Sequence, residues 1–294
     1  MSELPRIAFT MGDPAGIGPE IVAAAAADVR VRRVCQPVIY GPADPSTFAP
    51  GVLSKEAGRA AYEALVRAVD DATAGRVAAI VTAPVNKEAW ALAGIHWPGH
   101  TDLLAHLTGA RRVAMMFYSQ PLRVVLATVH VALADVPRLL TRTLLEELIR
   151  LSARELPRFG FRRPRLGVAG LNPHAGEHGV IGAEDDAVLA PAIAACRSEG
   201  IAVDGPFPAD TLFVRSMRGE FDAVIACYHD QGLVPIKLVA FGHAVNVTLG
   251  LPIIRTSVDH GTAFDIAGRG LADPGSMIEA VLLAARLVES GRHA

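Results

Sequence analysis

An uninterrupted apolar segment at residues 223–227, AVIAC, is followed closely by His229, Asp230 and Gln231. A strand that is covered on both faces of a parallel sheet shows no polar alternation, because helices pack against both of its sides. In open α/β sheets the ligand crevice lies beyond the carboxyl ends of the strands. The segment therefore predicts an α/β fold that presents reactive side chains where this strand ends.

Two further apolar segments have the same design. Residues 124–128 lead to His130, and residues 166–170 lead to His174. A single histidine after a strand is more often structural than a ligand, but three at similar strand ends favour a metal centre. We therefore expect His130, His174 and His229 to bind a divalent metal ion. Imidazoles suit zinc, cobalt or nickel by affinity, whereas availability favours manganese or magnesium, so the metal stays open.

Length and composition are those of a compact globular protein. The 294 residues exceed one ordinary core and predict two lobes, and the 51% of hydrophobic residues suffices to bury both. A formal net charge of −2 gives no general attraction for nucleic acid or for an anionic membrane surface. An anionic ligand must therefore be held by local groups.

Several features indicate the compartment. The chain has no signal-peptide pattern and no apolar run of about 18 residues, which predicts neither secretion nor a membrane span. Cys35, Cys196 and Cys227 show no CxxC spacing, which argues against a disulfide framework or a thiolate zinc site. We expect reduced, mostly buried thiols in a cytoplasmic protein.

The hydrophobic pattern predicts alternating strands and helices. The predicted strands cover residues 6–11, 38–40, 78–82, 113–118, 122–128, 165–170, 223–227, 244–249 and 252–257. The predicted helices cover residues 21–31, 54–74, 141–156, 184–198 and 277–288, with another starting near Lys87. Because only three residues separate the strands at 113–118 and 122–128, we expect these two strands to pair antiparallel.

Some polar residues stand where an anion can bind. A turn at residues 97–102 feeds a helix whose N-cap is predicted to be Thr101 or Asp102, so His100 and Thr101 lie at its positive end. Lys237 and Arg255 each follow an apolar segment, which favours phosphate or carboxylate binding over a solvated surface charge.

Two glycine-containing signatures lie near opposite ends of the chain. GDPAGIGPE at residues 12–20 and DHGTAFDIAGRG at residues 259–270 resemble segments of the isocitrate and isopropylmalate dehydrogenases. The resemblance implies their α/β fold, with two lobes, a discontinuous first lobe and an active-site cleft between the lobes. It implies a nucleotide-binding lobe at residues 1–117 and 247–294, and a lobe for metal, substrate and dimerisation at residues 118–246.

Seven motifs narrow the resemblance to one family over nearly the whole chain. They are VTAPVNK (81–87), GHTD (99–102), ATVH (127–130), GLNPHAGE (170–177), ADTLF (209–213), YHDQGLVPIK (228–237) and VNVTLGLPIIRTSVDHGTA (245–263). Together they resemble the 4-hydroxythreonine-4-phosphate dehydrogenase family. The resemblance implies oxidation of the C3 hydroxyl of 4-phosphooxy-L-threonine by NAD or NADP, followed by loss of carbon dioxide, on the way to pyridoxal phosphate.

The same resemblance implies roles for individual residues. His130, His174 and His229 match metal ligands, in a site completed across a homodimer interface. The residues that match substrate contacts are His100, Thr101, Lys237, Asn246 and Arg255. The candidate catalytic residues are Lys237 and Asp210, and those for the nucleotide are His260, Gly261, Asp265 and Gly268.

Plain structural explanations compete with several of these roles. Asn246 stands between two valines and can satisfy backbone groups of a strand, while Asp210 can cap the helix that it precedes. His260 can equally be structural. For Asp265 and Gly268, a helix start and its stop give the same pattern.

Alternative functions also remain open. The family commonly has a basic residue after His130, where this chain has Ala134 and Asp135. Related substrates therefore stay open, namely threonate or erythronate 4-phosphate or an aromatic dihydrodiol. Three histidines beside a phosphate pocket are also compatible with a metal phosphohydrolase, and a non-catalytic sensor of a phosphorylated ligand is a third alternative.

The last expectation concerns assembly. The strands at 113–128 and the helix at 141–156 carry more apolar surface than one lobe is expected to bury, and such an excess is typical of a permanent interface. We therefore expect an active homodimer.

Overall fold

The computed structural model describes residues 3–292, which divide into two compact units. The first unit combines the chain up to Val113 with the chain from Val245 onward, and the second runs from Ala114 to Ala244. The first unit is therefore discontinuous. Its limits at 113 and 245 stand beside the predicted limits at 117 and 247.

Strands and helices alternate along most of the chain. The strands are β1 (Arg6–Thr10), β2 (Gln36–Tyr40), β3 (Ala79–Thr82), β4 (Ala114–Tyr118), β5 (Arg123–Leu126), β6 (Leu166–Ala169), β7 (Val203–Phe207), β8 (Ala223–Ala226), β9 (Val245–Leu249) and β10 (Arg255–Ser257). The α-helices are α1 (Gly18–Ala27), α2 (Val29–Arg32), α3 (Lys55–Thr73), α4 (Lys87–Leu92), α5 (His100–Thr108), α6 (Val136–Leu139), α7 (Arg142–Glu155), α8 (Ala190–Ser198), α9 (Ala209–Met217), α10 (His229–Ala240) and α11 (Gly275–Arg292). Short 3₁₀ segments lie at Pro45–Thr47, Leu133–Asp135, Leu156–Phe159 and Pro173–Glu177, and a π-helical turn at Asp185–Leu189 leads into α8.

The strands of the first unit lie in the order β2-β1-β3-β10-β9. Neighbours are parallel except for β9, which pairs antiparallel with β10. Helix α3 packs tightly against α4 at Gly58. Any side chain at this position would clash, since a Cβ atom added to Gly58 would lie only 2.1 Å from the carbonyl oxygen of Ala89. Ser54 caps α3, since its hydroxyl accepts a hydrogen bond from the Ala57 amide at 3.1 Å.

The strands of the second unit lie in the order β4-β5-β8-β6-β7. The antiparallel pairing of β4 with β5 confirms the prediction, and β5, β8, β6 and β7 pair in parallel. Every residue of β5, β8 and β6 is buried, as their apolar sequences predict, and in β5 this includes the initial Arg123. The carboxyl ends of these three neighbouring strands therefore meet at one edge of the sheet.

Helix α10 was not predicted from the sequence. It begins at His229, directly after β8, and continues through Pro235, a residue that normally breaks a helix. Packing explains its formation, because Leu233, Ile236 and Ala240 are buried on one face. Gly232 permits close contact with β5, since a Cβ atom at this position would lie 2.6 Å from the side chain of Leu126.

Two predicted helix boundaries were wrong. The helix expected at residues 21–31 is interrupted at Asp28, whose backbone is extended and whose carboxylate accepts a hydrogen bond from the Arg30 amide at 2.7 Å. Helix α5 has Gly99 at its N-cap rather than Thr101 or Asp102, so its first residue is His100. The backbone conformation at Asp28 and at Gly99 therefore sets these boundaries, rather than the hydrophobic pattern in the first case or the N-cap preference in the second.

The predicted location of the excess apolar surface was also wrong. Val124 and Leu126 of β5 and Leu145 and Leu148 of α7 are all buried within the chain. The cysteines agree with expectation, since all three are free and buried. No helix in the described part of the chain combines the length and hydropathy needed to cross a bilayer.

Candidate active site

The three predicted metal ligands follow three adjacent parallel strands of the second unit. His130 comes after β5, His229 is the first residue of α10 after β8, and His174 lies in the 3₁₀ segment after β6. The three segments in which an apolar run precedes a histidine are therefore neighbours in one sheet, and their histidines follow the carboxyl ends of its strands. This edge of the sheet is where open α/β sheets present functional groups.

Two of these histidines are close neighbours. The ring centroids of His130 and His229 are 5.6 Å apart, with the ring planes tilted by 41°. Two imidazoles bound to one zinc ion through nitrogens at about 2 Å place their ring centres roughly 5 Å apart. The spacing of this pair therefore fits two positions around one metal ion.

The third histidine is not gathered with this pair. Among residues 3–292, no three histidine, cysteine, aspartate or glutamate side chains are arranged to hold a metal ion. His174 stands in its own loop after β6. Of the three predicted ligands, the structure therefore brings together His130 and His229.

A carboxylate orients His229. Its Nδ1 atom lies 2.7 Å from Oδ1 of Asp230, and the side chain of His229 is 41% exposed. When the carboxylate accepts the Nδ1 proton, the lone pair on Nε2 is left available for a metal ion. The sequence analysis noted Asp230 after the strand but assigned it no function, and this contact gives it one.

Backbone strain is concentrated at the histidine-bearing loops. His130 has a φ angle of 22° and His174 one of 53°, in the left-handed region that residues other than glycine rarely occupy. Ala175, Glu177 and His178 share this conformation, with φ angles of 53°, 45° and 55°. Such conformations persist when surrounding contacts determine them, and they occur most often at functional sites.

Polar contacts connect the three strand ends. The hydroxyl of Thr128, near His130, donates to the carbonyl oxygen of Cys227 at 2.8 Å. The Gln231 amide group accepts from the Cys227 amide at 2.6 Å and donates to the carbonyl oxygen of Gly170 at 2.7 Å. Gln231 therefore joins the end of β8 to the start of the His174 loop.

The two candidate catalytic residues belong to helices of the second unit. Lys237 lies two turns after His229 on α10, with its ammonium group 5.9 Å from the centre of the Phe241 ring. Asp210 is exposed in the first turn of α9, where Pro208 occupies the N-cap. The alternative explanation of Asp210 as the helix cap is therefore wrong.

Arg255, in the first unit, is a buried cation with neutral partners. It is 2% exposed, and it donates to the hydroxyl of Thr82 at 3.2 and 2.7 Å and to that of Thr248 at 3.0 Å. The Thr82 hydroxyl in turn donates to Ser257 at 2.9 Å, so its lone pairs are directed at the guanidinium. Within residues 3–292 no carboxylate pairs with Arg255, and burial lowers its pKa to about 9.

Two other predicted substrate contacts in this unit have buried polar atoms without partners. These are Nε2 of His100 and Oδ1 of Asn246, each lacking a hydrogen bond within the described residues. Burial lowers the pKa of His100 well below 6.5, and the positive charges of Arg255 and Lys87 lower it further. His100 is therefore a neutral imidazole close to two cations. Thr101 follows it in the first turn of α5.

The predicted nucleotide segment is largely exposed. His260, Gly261, Asp265 and Gly268 all lie on the surface of the first unit. The segment contacts the other glycine-containing signature, because the Ile17 amide donates to the carbonyl oxygen of Thr262 at 3.0 Å. The two signatures that lie far apart in sequence are therefore adjacent in the fold.

Some residues of the site carried no readable sequence signal. Thr82 and Thr248 fall within family motifs but look like ordinary strand residues, yet they supply the hydroxyls around Arg255. Asp185, which is fully buried, binds the backbone next to His174 and was not singled out. Lys87 falls within a quoted motif, but only the structure places its charge near His100.

Comparison with known proteins places these features in a family. Residues 17–284 match the family model described as pyridoxal phosphate biosynthetic protein PdxA. A 4-hydroxythreonine-4-phosphate dehydrogenase of Geobacter metallireducens is 46% identical, over 96% of this chain and 95% of the relative. A D-threonate 4-phosphate dehydrogenase of Cupriavidus necator is 42% identical, over 97% of each chain.

Solved structures agree with this assignment. The crystal structure of a 4-hydroxythreonine-4-phosphate dehydrogenase from Klebsiella pneumoniae has a TM-score of 0.87 and 42% identity, covering 97% of this chain and 99% of that one. An isocitrate dehydrogenase from Methylococcus capsulatus, with a TM-score of 0.53, 18% identity and coverage of 98% and 88%, shares the fold alone. The α/β fold is shared with the isocitrate dehydrogenase, and the named relatives at more than 40% identity make the chain an oxidoreductase. Within that class, the chain belongs to the PdxA family of 4-hydroxythreonine-4-phosphate dehydrogenases.

Proposed function

We propose that this protein oxidises 4-phosphooxy-L-threonine in a reaction that depends on NAD or NADP and on a divalent metal ion. A hydride leaves C3 for the nicotinamide and the C3 hydroxyl loses its proton, which gives a β-keto acid. Loss of carbon dioxide and protonation at C2 then give 3-amino-2-oxopropyl phosphate. This product leads toward pyridoxal phosphate.

The single observation that carries the proposal is the buried charge of Arg255. A buried guanidinium without a carboxylate is costly, and an anionic ligand offsets that cost. Its neighbours, His100 and Asn246, offer buried polar atoms that lack partners within the described residues. We assign substrate binding to these three residues together with Thr101 and Lys237.

The metal is assigned to the histidines of the second unit. His130 and His229 would hold it as a pair, with His174 as a further ligand. When bound, such an ion supplies positive charge that favours loss of the hydroxyl proton and later withdraws electrons from the ketone. Zinc, cobalt, manganese and magnesium all remain candidates. The protons are moved by Lys237, and Asp210 is the second candidate for this role.

The exposed loop of the first unit is assigned to the nucleotide. His260, Gly261, Asp265 and Gly268 are accessible there, so NAD or NADP can reach them without displacing core residues. The contact between this loop and the first signature, from Ile17 to Thr262, would fix the loop against the sheet.

We further propose that the active unit is a homodimer with a shared site. On α10, Val234 is 65% exposed and Leu238 is 84% exposed, and the following Phe241 is 77% exposed. Their spacing of four and three residues places them on one helix face. Because α10 begins at His229, burial of this face against a second chain would bring that chain close to the histidines.

The test of the reaction compares substrates under one set of conditions. Formation of NADH or NADPH is measured with 4-phosphooxy-L-threonine, D-threonate 4-phosphate, erythronate 4-phosphate and an aromatic dihydrodiol, before and after removal of metal by a chelator. We expect metal-dependent turnover of 4-phosphooxy-L-threonine. Turnover confined to another substrate would overturn the choice, and the Cupriavidus necator relative makes D-threonate 4-phosphate the leading alternative. Phosphate release without nicotinamide would instead indicate a phosphohydrolase.

Two variants test the metal site and the dimer. His229→Ala is expected to lose bound metal, measured by mass spectrometry, and all turnover, while nucleotide affinity is retained. Leu238→Glu is expected to sediment as an inactive monomer. Leu92→Glu is the matched control, since Leu92 is an exposed leucine of the first unit at 55% exposure. A fully active monomer would contradict the shared site.

A further inference from the structure

The loop that carries His174 has an unusual backbone. Four consecutive residues from His174 to Glu177 have positive φ angles, and only Gly176 among them adopts this conformation without steric cost. A short loop of this kind does not hold its shape through its own sequence. Contacts from outside the loop must stabilise it.

The contacts come from the carboxylate of Asp185. Its Oδ1 atom accepts a hydrogen bond from the Leu171 amide at 2.9 Å. Its Oδ2 atom accepts from the Asn172 amide at 3.1 Å and from the Asn172 side chain at 2.9 Å. Asp185 is fully buried, so these three bonds form away from water, where an unsatisfied donor is costly.

The same side chain also packs closely against Gly170 and Gly176, which precede and follow His174. A Cβ atom added to Gly176 would lie 3.2 Å from Asp185, and one added to Gly170 would lie 3.0 Å from its Oδ1 atom. Asp185 therefore contacts the residues on both sides of His174. A second carboxylate, that of Glu184, accepts from the Asn172 side chain at 2.9 Å and reinforces this attachment.

We propose that Asp185 is the positioning residue for His174, because its contacts within residues 170–176 hold residues 174–177 in the left-handed conformation that presents the imidazole. The inference rests on the proposed role of His174 as a metal ligand. Asp185 acts through the backbone and does not itself reach the metal. The substrate is not involved, so its identity does not bear on the inference.

The decisive variant is Asp185→Asn, with Asp186→Asn as its control. The asparagine keeps the size of the side chain but replaces one acceptor oxygen with an NH₂ donor, so one of the two backbone amides loses its partner. Asp186 is the adjacent residue and is exposed, so its replacement makes the same change in charge, and among the described residues it forms no hydrogen bond with residues 170–177.

The measurements are the affinity for Co²⁺ by calorimetry and the absorption spectrum of the bound Co²⁺, which reports ligand geometry. We expect Asp185→Asn to weaken Co²⁺ binding by about 10-fold to 100-fold and to alter the spectrum. Asp186→Asn should match the wild type in both. Unchanged affinity and spectrum in a folded Asp185→Asn protein would overturn the inference.

Two additional variants separate the possible failures. If His174→Ala binds Co²⁺ as tightly as the wild type, the proposed metal role of His174 is wrong. If His174→Ala weakens binding but Asp185→Asn does not, only the positioning role is wrong. Should Asp185→Asn fail to fold, Asn172→Ala decides, because it removes the side-chain bonds to Asp185 and Glu184 but leaves the two backbone bonds to Asp185. It should cause a smaller loss of Co²⁺ affinity, and no loss would overturn the inference.

Discussion

Two buried arginines, Arg123 in the second unit and Arg255 in the first, have different surroundings. Arg123 is 8% exposed, donates to the carbonyl oxygens of Asp222 at 2.7 Å and Gln120 at 2.5 Å, and stacks 4.9 Å from the centre of the Phe161 ring. Burial lowers its pKa, but the negative charge of Asp222 opposes that shift. Arg123 is thus a structural cation whose partners all lie within the chain.

Arg255 has none of these compensations. Its partners are threonine hydroxyls, and burial alone lowers its pKa to about 9. At pH 7 it is therefore a cation without a nearby negative charge from the described residues. The contrast shows that burial alone does not distinguish a structural arginine from a ligand-binding one, whereas the nature of its partners does.

The sharpest test of this contrast is Arg255→Met. Removal of a buried charge that binds an anion typically costs 2–5 kcal/mol of binding, so we expect kcat/KM for the phosphorylated substrate to fall by about 10³-fold. The free energy of unfolding should stay the same or rise, because an apolar side chain replaces an uncompensated buried charge. Steady-state kinetics and urea unfolding measure both quantities. A strong loss of stability would show that Arg255 is structural after all.

The converse test is Arg123→Met. Its loss leaves the carbonyl oxygen of Asp222 without its donor, and one such unsatisfied group costs about 1–3 kcal/mol, whereas Gln120 is exposed and its carbonyl can bond to water. We expect the free energy of unfolding to fall by roughly that amount in urea titrations, while kcat/KM remains within a few-fold of the wild type. If activity fell as far as in Arg255→Met, the two arginines would not differ in kind.

The sequence predicts the framework of the molecule better than these details. Apolar runs predict β5, β6 and β8 because strands buried on both faces need uninterrupted hydrophobic residues. The histidines that follow these strands are predicted as site residues because open α/β sheets place functional groups at the carboxyl ends of their strands. Helix α10 is not predicted, because Pro235 within it normally breaks a helix. The burial that stabilises α10 depends on contacts with β5, which is far from α10 in sequence.

The difference between the two arginines is likewise absent from the sequence. Each directly follows an apolar residue, Leu122 or Ile254, and each begins a buried strand, so the local sequence pattern treats the two arginines alike. What separates them is the set of oxygens that tertiary folding brings to each guanidinium. Asp185 is a similar case, because its contacts with residues 171 and 172 cross from one loop to another.

A pH titration sharpens the comparison further. Because the pKa of Arg255 is lowered to about 9, the cation is present below that pH and is lost above it. We expect the affinity for inorganic phosphate, measured by calorimetry, to fall as the pH rises through about 9, approaching tenfold per pH unit above that value. Arg255→Met should bind phosphate weakly and without this inflection. The same inflection in that variant would assign the titration to another group.

The smallest expected effect concerns His100, the neutral neighbour of Arg255. Its pKa is lowered by burial, then by the charges of Arg255 and Lys87, so the folded protein keeps His100 neutral where the unfolded chain protonates it. Stability from this group is fully present above the unfolded pKa of about 6.5 and is lost as the pH falls. Between pH 7 and pH 5 the loss should be about 1–2 kcal/mol. His100→Gln should remove that part of the acid sensitivity in urea titrations at several pH values. Arg255→Met should reduce this acid sensitivity only in part, because the burial of His100 remains. If the free energy of unfolding of His100→Gln depended on pH as in the wild type, His100 would not be the group that responds to acid.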